Sequence, residues 1–386
     1  MTQAGLTGRG GAGFPTGVKM RAVADRRGPA VVVLNGLESE PASAKDKMLL
    51  GRAPHLALDG AVLAAVAVGA DEVDVCLPRN AGWLLATMHN AVTERARAGI
   101  DPVVVRLHDL PHGYVSSSET AVVNWLNGGP AKPVATPPRP FEKGVARRPT
   151  LLANAETLAH VALIGRFGSA WFRRLGTQDA PGSMLTTITG GVAATGVYEI
   201  EVGTPVGAAL GLAEPHEHVR HVLIGGYFGT WHDLDSVGTV PLAGPALRKL
   251  GASPGAGVLV ALPPGACGLI ETARVLWWLA GQGAEQCGPC LFGLPAIADD
   301  FAQLAAGRPH GSPLDRLDRR LGTVSGRGAC AHPDGAVRLA RSALSAFAAD
   351  AKAHASARRC LYAYRGSSQR AHVLPIPVPQ GTDRWR

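Results

Sequence analysis

The sequence predicts an α/β protein with a parallel sheet, followed by a smaller β-rich region and a helical C-terminal region. Three observations carry this prediction. Strand and helix signals alternate over residues 28–130, which is typical of a parallel sheet covered on both faces. Two β-rich runs separated by glycine follow residue 183, and from about Leu242 the apolar spacing becomes helical.

Composition limits the class of protein. The chain has 386 residues, of which 46% are hydrophobic, and this length allows two or three domains. Its formal net charge of +8 suits an anionic ligand or an acidic partner. Nucleic-acid binding is not predicted, because neither an arginine-rich arm nor interleaved aromatic and basic residues occur. Neither a secretory signal nor an apolar run of about 18 residues is present, so we expect a cytoplasmic protein without membrane insertion.

The first region predicts its elements in order. Apolar runs give strands at 31–34, 72–77 and 102–107, and helical spacing gives helices at 55–68 and 83–98. The first strand is followed by Asn35, Glu38 and Glu40. Ligands of parallel sheets lie beyond the carboxyl ends of the strands, so these polar residues are candidates for a binding site.

A glycine-rich stretch at residues 8–19 precedes the first strand. It contains five glycines together with Arg9, Phe14 and Lys19. Successive backbone N–H groups in such a loop form a concave anion site, and the two cations add positive charge. The stretch therefore predicts a phosphate-bearing cofactor, with a merely flexible loop as the alternative. We do not interpret it as a dinucleotide fingerprint, because too few residues precede it for a strand.

The loop GRGGAGFPTGVK is followed by NGLESEP at 35–41 and by KD at 45–46. In this order the motifs resemble the flavin-binding (51 kDa, F-type) subunit of NADH:quinone oxidoreductase, respiratory complex I, and its relatives in NAD-linked hydrogenases and formate dehydrogenases. The resemblance covers residues 5–349. The family usually has a further helical segment before the loop, so we expect a shortened, divergent paralogue, with a truncated start as the alternative.

The resemblance implies a domain organisation. We expect a Rossmann-like FMN-binding α/β domain at 1–182, a ubiquitin-like β-grasp domain at 183–240 and a helical iron–sulfur domain at 241–360. The last residues, 361–386, contain Pro375, Pro377 and Pro379 and are expected to form an extended tail.

The resemblance also implies the residues of a flavin site. YVSSSETA at 114–121 resembles Y-x-C-G-E-E-T-A, and PTLLANAETL at 149–158 resembles P-T-x-x-N-N-x-E-T-L. The expected catalytic residues, facing a nicotinamide donor, are Glu40 and Glu119. The expected cofactor-binding residues are Gly8, Arg9, Gly10, Gly11, Gly13, Phe14, Lys19, Asn35, Glu38, Tyr114 and Asn154. Two alternatives stay open: Ser116–Ser118 could cap a helix that begins near Glu119, and Asn154 could be a loop residue without a ligand.

The resemblance to the family is incomplete at the positions expected to bind NAD(H). In place of the family's K-P-P-F element, this chain has TPPR at 136–139. A second position where the family has an aromatic residue is occupied by Ala22. The family has a carboxylate at the position before Glu38, which is Leu37 in this chain. Loss of stacking partners weakens nucleotide binding unless Arg139 compensates.

Three cysteines resemble the family's [4Fe–4S] ligands. Cys287, Cys290 and Cys330 match three of the four positions, whereas the remaining position is Ala284. Iron–sulfur clusters are usually held by four thiolates. A cluster then needs a fourth ligand from Glu285, His332, water or another cysteine such as Cys360, or it takes a [3Fe–4S] form. A zinc site with His332, a thioredoxin-type redox pair and an inert remnant stay open as alternatives.

The resemblance implies a function. We expect an NADH dehydrogenase-like oxidoreductase that passes electrons from a two-electron donor through FMN to an iron–sulfur centre and a protein partner. The expected partner is a ferredoxin-like or other iron–sulfur protein, with a membrane-bound redox protein as a further candidate. The alternative is a non-catalytic flavin-binding or assembly paralogue that has lost NADH binding.

Overall fold

The N-terminal part of the chain folds around a four-stranded parallel sheet. The computed structural model describes residues 1–356, 372–377 and 385. The elements of this part, in chain order, are α1 Thr16–Ala24, β1 Ala30–Asn35, α2 Lys45–Arg52, α3 Pro54–Val68, β2 Ala70–Pro78, α4 Gly82–Ala98, β3 Val104–Leu110, α5 Glu119–Leu126, β4 Thr150–Asn154 and α6 Ala155–Phe172. The strand order is β3-β2-β1-β4, and every pair is parallel.

Strand β1 forms the centre of this sheet. Residues 30–34 are an uninterrupted apolar run, and all are buried because helices cover both faces. Its last residue, Asn35, pairs in register with Asn154 at the end of β4. Helices α3 and α6 pack so closely at Gly60 that a Cβ there would lie 1.7 Å from the carbonyl oxygen of Leu158. Glycine, which has no Cβ, permits this close approach. The predicted strands and helices are present, and the sheet delivers polar residues to its carboxyl edge.

The second region is a mixed five-stranded sheet. Its elements are β5 Ser183–Gly190, β6 Gly196–Glu201, α7 Val206–Gly211, β7 His221–Ile224, β8 Thr230–Asp233, α8 Leu234–Val237, α9 Gly244–Arg248 and β9 Val258–Ala261. The strand order is β6-β5-β9-β7-β8, and β5 and β9, the first and last strands of this region, form a parallel pair. This arrangement fits the expected β-grasp fold.

Strand β9 corrects the prediction that the chain becomes helical from about Leu242. It is a four-residue apolar run, buried along its whole length, and such a run has no alternation to distinguish it from a helix. The β-grasp sheet therefore extends to Ala261, beyond the predicted boundary at 240. The other domain boundaries stay predictions.

The last region is helical. Its elements are α10 Gly268–Gly281, α11 Leu294–Ala305, α12 Pro313–Val324, α13 His332–Ala346 and α14 Ala348–Ala355. A π-helical turn at Pro289–Gly293 joins α10 to α11. Cys360 lies outside the described residues, and so does most of the predicted tail at 361–386. Within the described part of the tail, Leu374 is buried and its amide donates to Glu271 on α10.

Among the described residues, no single helix has the length and apolar composition needed to cross a membrane. Helices α2 and α3 reach that length and composition only as a pair, and they are bent by 95° relative to each other. Both helices pack within the parallel-sheet region.

Candidate flavin and iron–sulfur site

A cavity of about 550 Å³ lies between the carboxyl edge of the parallel sheet, the glycine loop and the start of α13. This volume is within the range typical of ligand sites. The predicted site residues that line it are Gly8, Gly10, Gly11, Gly13, Phe14, Lys19, Asn35, Glu40, Tyr114, Glu119, Asn154 and Cys330. The predicted residues outside its wall are Arg9, Glu38, Cys287 and Cys290.

The glycine loop is closed at its base and open toward the cavity. The amide of Gly8 donates to the carbonyl oxygen of Phe14 at 2.8 Å. Gly11 and Gly13 have φ values of 110° and 62°, which a residue with a Cβ rarely adopts. None of the amides of residues 10–13 donates to another part of the described chain. These amides are therefore available to an anionic ligand.

Helix α1 begins directly after this loop and adds two polar groups to the cavity. The hydroxyl of Thr16 is buried on the cavity wall and has no hydrogen-bond partner among the described residues. The Lys19 ammonium donates to the Leu152 carbonyl at 2.7 Å and lies 2.8 Å from the Glu119 carboxylate. A helix N-terminus with an unpaired hydroxyl and a nearby lysine suits a phosphate. The sequence analysis missed Thr16, although its position directly after the loop was a usable signal.

Arg9 does not line the cavity, and its contact with the phosphate stays a prediction. Its guanidinium donates to the Thr7 hydroxyl at 3.1 Å and to the Ser183 carbonyl at 2.9 Å. Its Nε lies 4.0 Å from the Glu156 carboxylate, and burial lowers the pKa of Arg9. Arg9 thus connects the glycine loop to strand β5 and to α6.

Glu38 also lies outside the cavity wall, and its contact with the flavin stays a prediction. It is buried, and its carboxylate accepts hydrogen bonds from the amides of Asp46 and Lys47, both at 3.1 Å, and from the Ser43 hydroxyl at 2.5 Å. These amides belong to the first turn of α2, whose N-terminus has no cap from its own Ala44. Glu38 therefore caps α2 from outside the helix.

A buried ion network lies beneath the loop. The Lys45 ammonium is 2.8 Å from both the Asp46 and the Glu156 carboxylates. Burial alone would raise the pKa of Glu156. The positive charge of Lys45, followed by His160 and Arg9, outweighs burial and lowers this pKa to about 2. Burial raises the pKa of Asp46 to about 6 in spite of Lys45.

Asn154 belongs to this network although it also lines the cavity. Its amide donates to Asp46 at 2.7 Å, and its oxygen accepts from the Glu156 amide at 3.1 Å and caps α6. The Lys45 ammonium lies 3.3 Å from the same oxygen. The structure thus gives Asn154 a structural role, and its contact with a ligand stays a prediction.

The segments at 35–40 and 114–119 are tied together on the cavity wall. The Asn35 side chain donates to the Ser117 carbonyl at 2.9 Å, and the hydroxyls of Ser39 and Ser117 share a hydrogen bond at 2.5 Å. Ser118 occupies the N-cap position of α5, but its hydroxyl makes no capping bond and has no partner among the described residues. The proposed capping role for Ser118 is therefore not observed.

Glu40 is the buried carboxyl group of the cavity wall. One of its oxygens accepts from the Tyr114 hydroxyl at 2.8 Å and from the Tyr227 amide at 2.9 Å. Burial raises the pKa of Glu40 to about 7, although these hydrogen bonds oppose the shift. Burial and the neighbouring Glu40 also hold the pKa of Tyr114 well above its usual value. This pair therefore keeps a proton at the cavity wall near neutral pH.

The three predicted cysteine ligands lie near one another, and of the three only Cys330 lines the cavity. Backbone amides donate to each sulfur: Ala329 to Cys287, Glu285 to Cys290 and His332 to Cys330. Partial burial would raise the pKa of Cys287, but hydrogen bonds outweigh it, and the pKa is lowered. The bond from the Ala329 amide is one of them. Burial and the two neighbouring sulfurs raise the pKa of Cys290 to about 12.

This donor set fits an iron–sulfur cluster better than a single metal ion. Within the described residues, no three His, Cys, Asp or Glu side chains converge closely enough to hold one ion. The zinc alternative therefore gains no support. A cluster is larger than an ion, is held by thiolates and is tuned by hydrogen bonds to its sulfurs. The amide-bonded sulfurs have the chemistry of such a site, with Ala284 buried where a fourth thiolate is expected.

His332 is buried two residues after Cys330. Its Nε2 donates to the Leu279 carbonyl on α10 at 2.9 Å, and its Nδ1 has no partner among the described residues. Burial lowers the pKa of His332 to about 4, so the imidazole is neutral. Its ring lies in edge contact with Tyr114, with the ring centroids 6.0 Å apart.

Comparisons with known proteins agree with this site. The Nuo51 FMN-binding domain model matches residues 1–163, and the model of the NADH-ubiquinone oxidoreductase-F iron-sulfur binding region matches residues 271–374. The fold and site thus define a flavin- and iron–sulfur-dependent oxidoreductase, and both predicted cofactors are confirmed at this level.

The family follows from similarity over most of the chain. The second F-type subunit of the NADH-quinone oxidoreductase of Rhizobium meliloti is 30% identical over 372 residues, covering 93% of this chain and 88% of the relative. The F-type subunit of Streptomyces coelicolor is also 30% identical over 372 residues, covering 93% of this chain and 82% of the relative. The chain belongs to the family of F-type subunits of NADH-quinone oxidoreductases.

A solved structure shows the same fold. An NAD⁺-reducing [NiFe]-hydrogenase in the H₂-reduced state contains a chain that superimposes with a TM-score of 0.86 at 31% sequence identity. The match covers 92% of this chain and 61% of the hydrogenase chain. The predicted α/β fold class and oxidoreductase class are confirmed.

Proposed function

We propose that this protein takes two electrons from a soluble donor, NADH being the first candidate, and passes them singly through an iron–sulfur centre to a protein partner. The observation that carries the proposal is the continuity of the cavity. The glycine loop, Cys330 and Ala331 all line this one cavity. A flavin held by the loop would therefore lie beside the cysteine site.

The loop and the start of α1 would hold the phosphate of FMN. The free amides of residues 10–13 supply hydrogen bonds, Lys19 supplies charge, and the Thr16 hydroxyl supplies a further donor. The Ser118 hydroxyl is likewise free on the cavity wall. Because Arg9 and Glu38 lie outside the cavity wall, we do not include them among the ligands.

FMN, when bound, supplies the exchange between two-electron and one-electron chemistry. The protein's own contribution is a proton reservoir at the cavity wall. The Glu40 carboxyl has a pKa of about 7, so it is about half protonated at neutral pH and exchanges a proton at little cost. The Tyr114 hydroxyl fixes its orientation and borders the cavity.

The donor would lie near the outer mouth of the cavity. Phe14 is half-exposed there, and Glu119 is held by Lys19. Arg139 is exposed and lies outside the cavity wall, so it supplies no observed replacement for the missing aromatic residues.

The partner belongs to the same proposal. Relatives are named as subunits of quinone oxidoreductases, and a structural neighbour is part of an NAD⁺-reducing hydrogenase. We infer that the acceptor is another iron–sulfur protein, ferredoxin-like or part of a larger redox complex, with a membrane-bound protein as the further candidate.

The cysteines of the described chain form no disulfide, which suits a reducing compartment such as the cytoplasm.

Anaerobic flavin spectroscopy tests the proposal. The full chain, reconstituted with FMN, iron and sulfide, should be coloured, and stoichiometric NADH should bleach the flavin. Colour that dithionite bleaches but NADH does not would exclude NADH and favour a different two-electron donor. Failure to retain FMN at all would overturn the proposal.

A cysteine variant tests the second half of the path. Cys330→Ser should leave bleaching by the donor intact and abolish reduction of a ferredoxin acceptor. Cys76→Ala, at a buried position in β2, is the matched control and should keep both reactions. Equal acceptor reduction by the two variants would contradict the route through the cysteine site.

A further inference from the structure

We propose that the imidazole of His332 is the fourth ligand of the iron–sulfur cluster, bound through Nδ1 in place of the missing thiolate at Ala284. This inference rests on the proposed function, because it requires a cluster at Cys287, Cys290 and Cys330. It identifies the fourth ligand, which the three cysteines do not supply.

The first observation is the missing ligand itself. Ala284 is buried and offers only a methyl group. The neighbouring residue is close to the site, because a Cβ at Gly283 would lie 3.3 Å from the Cys290 sulfur. Residues 283 and 284 thus pass the cysteines without contributing a side-chain ligand.

The second observation is the position of His332. Its backbone amide donates to the Cys330 sulfur, which holds the residue against the cysteine site. Its Nε2 donates to the Leu279 carbonyl in the last turn of α10, the helix from whose end the segment with Ala284 departs. The ring therefore occupies the space between Cys330 and the end of that helix.

The third observation is the state of the imidazole. Nδ1 is buried and lacks a hydrogen-bond partner among the described residues, which is costly unless something else uses its lone pair. A histidine that binds a metal commonly donates its other ring N–H to a carbonyl or carboxylate, which fixes the tautomer. The Leu279 carbonyl does this here.

The coordination needs no further reactant. The neutral imidazole gives its Nδ1 lone pair to one iron, no proton leaves the ring, and no electron is transferred. Replacing a thiolate by a neutral nitrogen removes one negative charge from the cluster. Histidine ligation raises the reduction potential of iron–sulfur centres relative to all-cysteine ligation. We therefore expect a potential above that of an all-cysteine variant of the same chain.

Pulsed electron paramagnetic resonance of the full chain tests the ligand directly. The protein is produced with histidine labelled with ¹⁵N in the imidazole ring, which excludes the backbone amides, and its cluster is reduced anaerobically. We expect a nitrogen coupling of the strength of a directly bound ligand, which changes with the label. This measurement needs no variant, so it does not depend on the stability of a mutant.

Variants then assign the nitrogen. His332→Cys should keep a four-iron cluster, lose the nitrogen coupling and lower the reduction potential. His332→Ala should release one iron per chain. His354→Gln is the matched control, since His354 is also buried in the helical region but bonds to the Leu304 carbonyl through Nδ1, and it should keep the coupling.

The outcomes separate this inference from the proposed function. A four-iron cluster without an imidazole coupling, or a coupling that persists in His332→Cys, overturns the histidine ligand and leaves the electron path standing. A native three-iron cluster also overturns it. A chain that holds no iron under any reconstitution overturns both.

Discussion

Two buried carboxyl groups near the cavity have opposite electrostatic surroundings. Glu156, beneath the glycine loop, contacts the Lys45 ammonium at 2.8 Å, and its pKa falls to about 2 despite burial. Glu40, on the cavity wall, has a hydroxyl and amides as partners, and burial raises its pKa to about 7. The ionised group maintains the architecture of the site, whereas the group that titrates near neutral pH faces the ligand space.

Removing the cation of the ion network should have the largest effect. Lys45→Met leaves the Asp46 and Glu156 carboxylates without their shared partner, and breaking a buried ion pair in this way costs about 3–5 kcal/mol. Urea unfolding of the full chain measures the loss. Lys47→Met, on the same helix but outside the network, is the control and should cost less than about 1 kcal/mol. Equal losses would show that the network is not the stabilising feature.

The carboxyl group on the cavity wall should make stability depend on pH. The pKa of Glu40 is about 7 in the folded protein against an ordinary value of 4.5, so the native state binds the extra proton between these values. Its stabilising contribution is complete below pH 4.5 and is lost as the pH rises through about 7. By linkage, this loss is about 3 kcal/mol.

Glu40→Gln is the variant that isolates this contribution, because an amide cannot ionise. The difference in free energy of unfolding, wild type minus variant, should fall as the pH rises from about 4 to about 8. Asp46 titrates in the same range in both proteins and cancels in this difference. A difference that stays constant with pH would mean that Glu40 titrates at an ordinary value.

The same contrast shows what the sequence could predict about the site. The motifs placed Lys19, Glu40, Glu119 and Tyr114 at a ligand site, and the structure brings them to one cavity. They also placed Arg9 there, whose side chain turns inward to bond with Ser183, 174 positions along the chain. A motif gives the order of charged residues, but which side of the backbone each one faces depends on contacts between distant segments.

The fold was predictable to a similar degree. Strands β1 and β2 have long apolar runs and were predicted with nearly their observed bounds. Strand β9 was missed because its four residues are all buried. It is identified as a strand only by its pairing with β5 and β7, which lie earlier in the chain.

The smallest expected effect compares the two cations of the glycine loop. Lys19→Met removes a charge from the cavity wall while Glu119 stays partly exposed to solvent. A hydrogen bond to a charged group contributes about 1.5–3 kcal/mol, so the dissociation constant of FMN should rise about 10- to 100-fold with little change in stability. Fluorescence titration with FMN and thermal unfolding of the same samples measure the two quantities.

Arg9→Met should give the reverse pattern. Among the described residues its guanidinium donates to Thr7 and Ser183 and lies 4.0 Å from the Glu156 carboxylate. Its loss should therefore lower the unfolding temperature and change the affinity for FMN much less than Lys19→Met does. If Arg9→Met instead weakened FMN binding as strongly as Lys19→Met at temperatures where both variants are folded, the guanidinium would have to leave its buried contacts when the cofactor binds. The loop would then rearrange around the phosphate, and the division between a structural interior and a ligand-facing wall would not hold for the bound state.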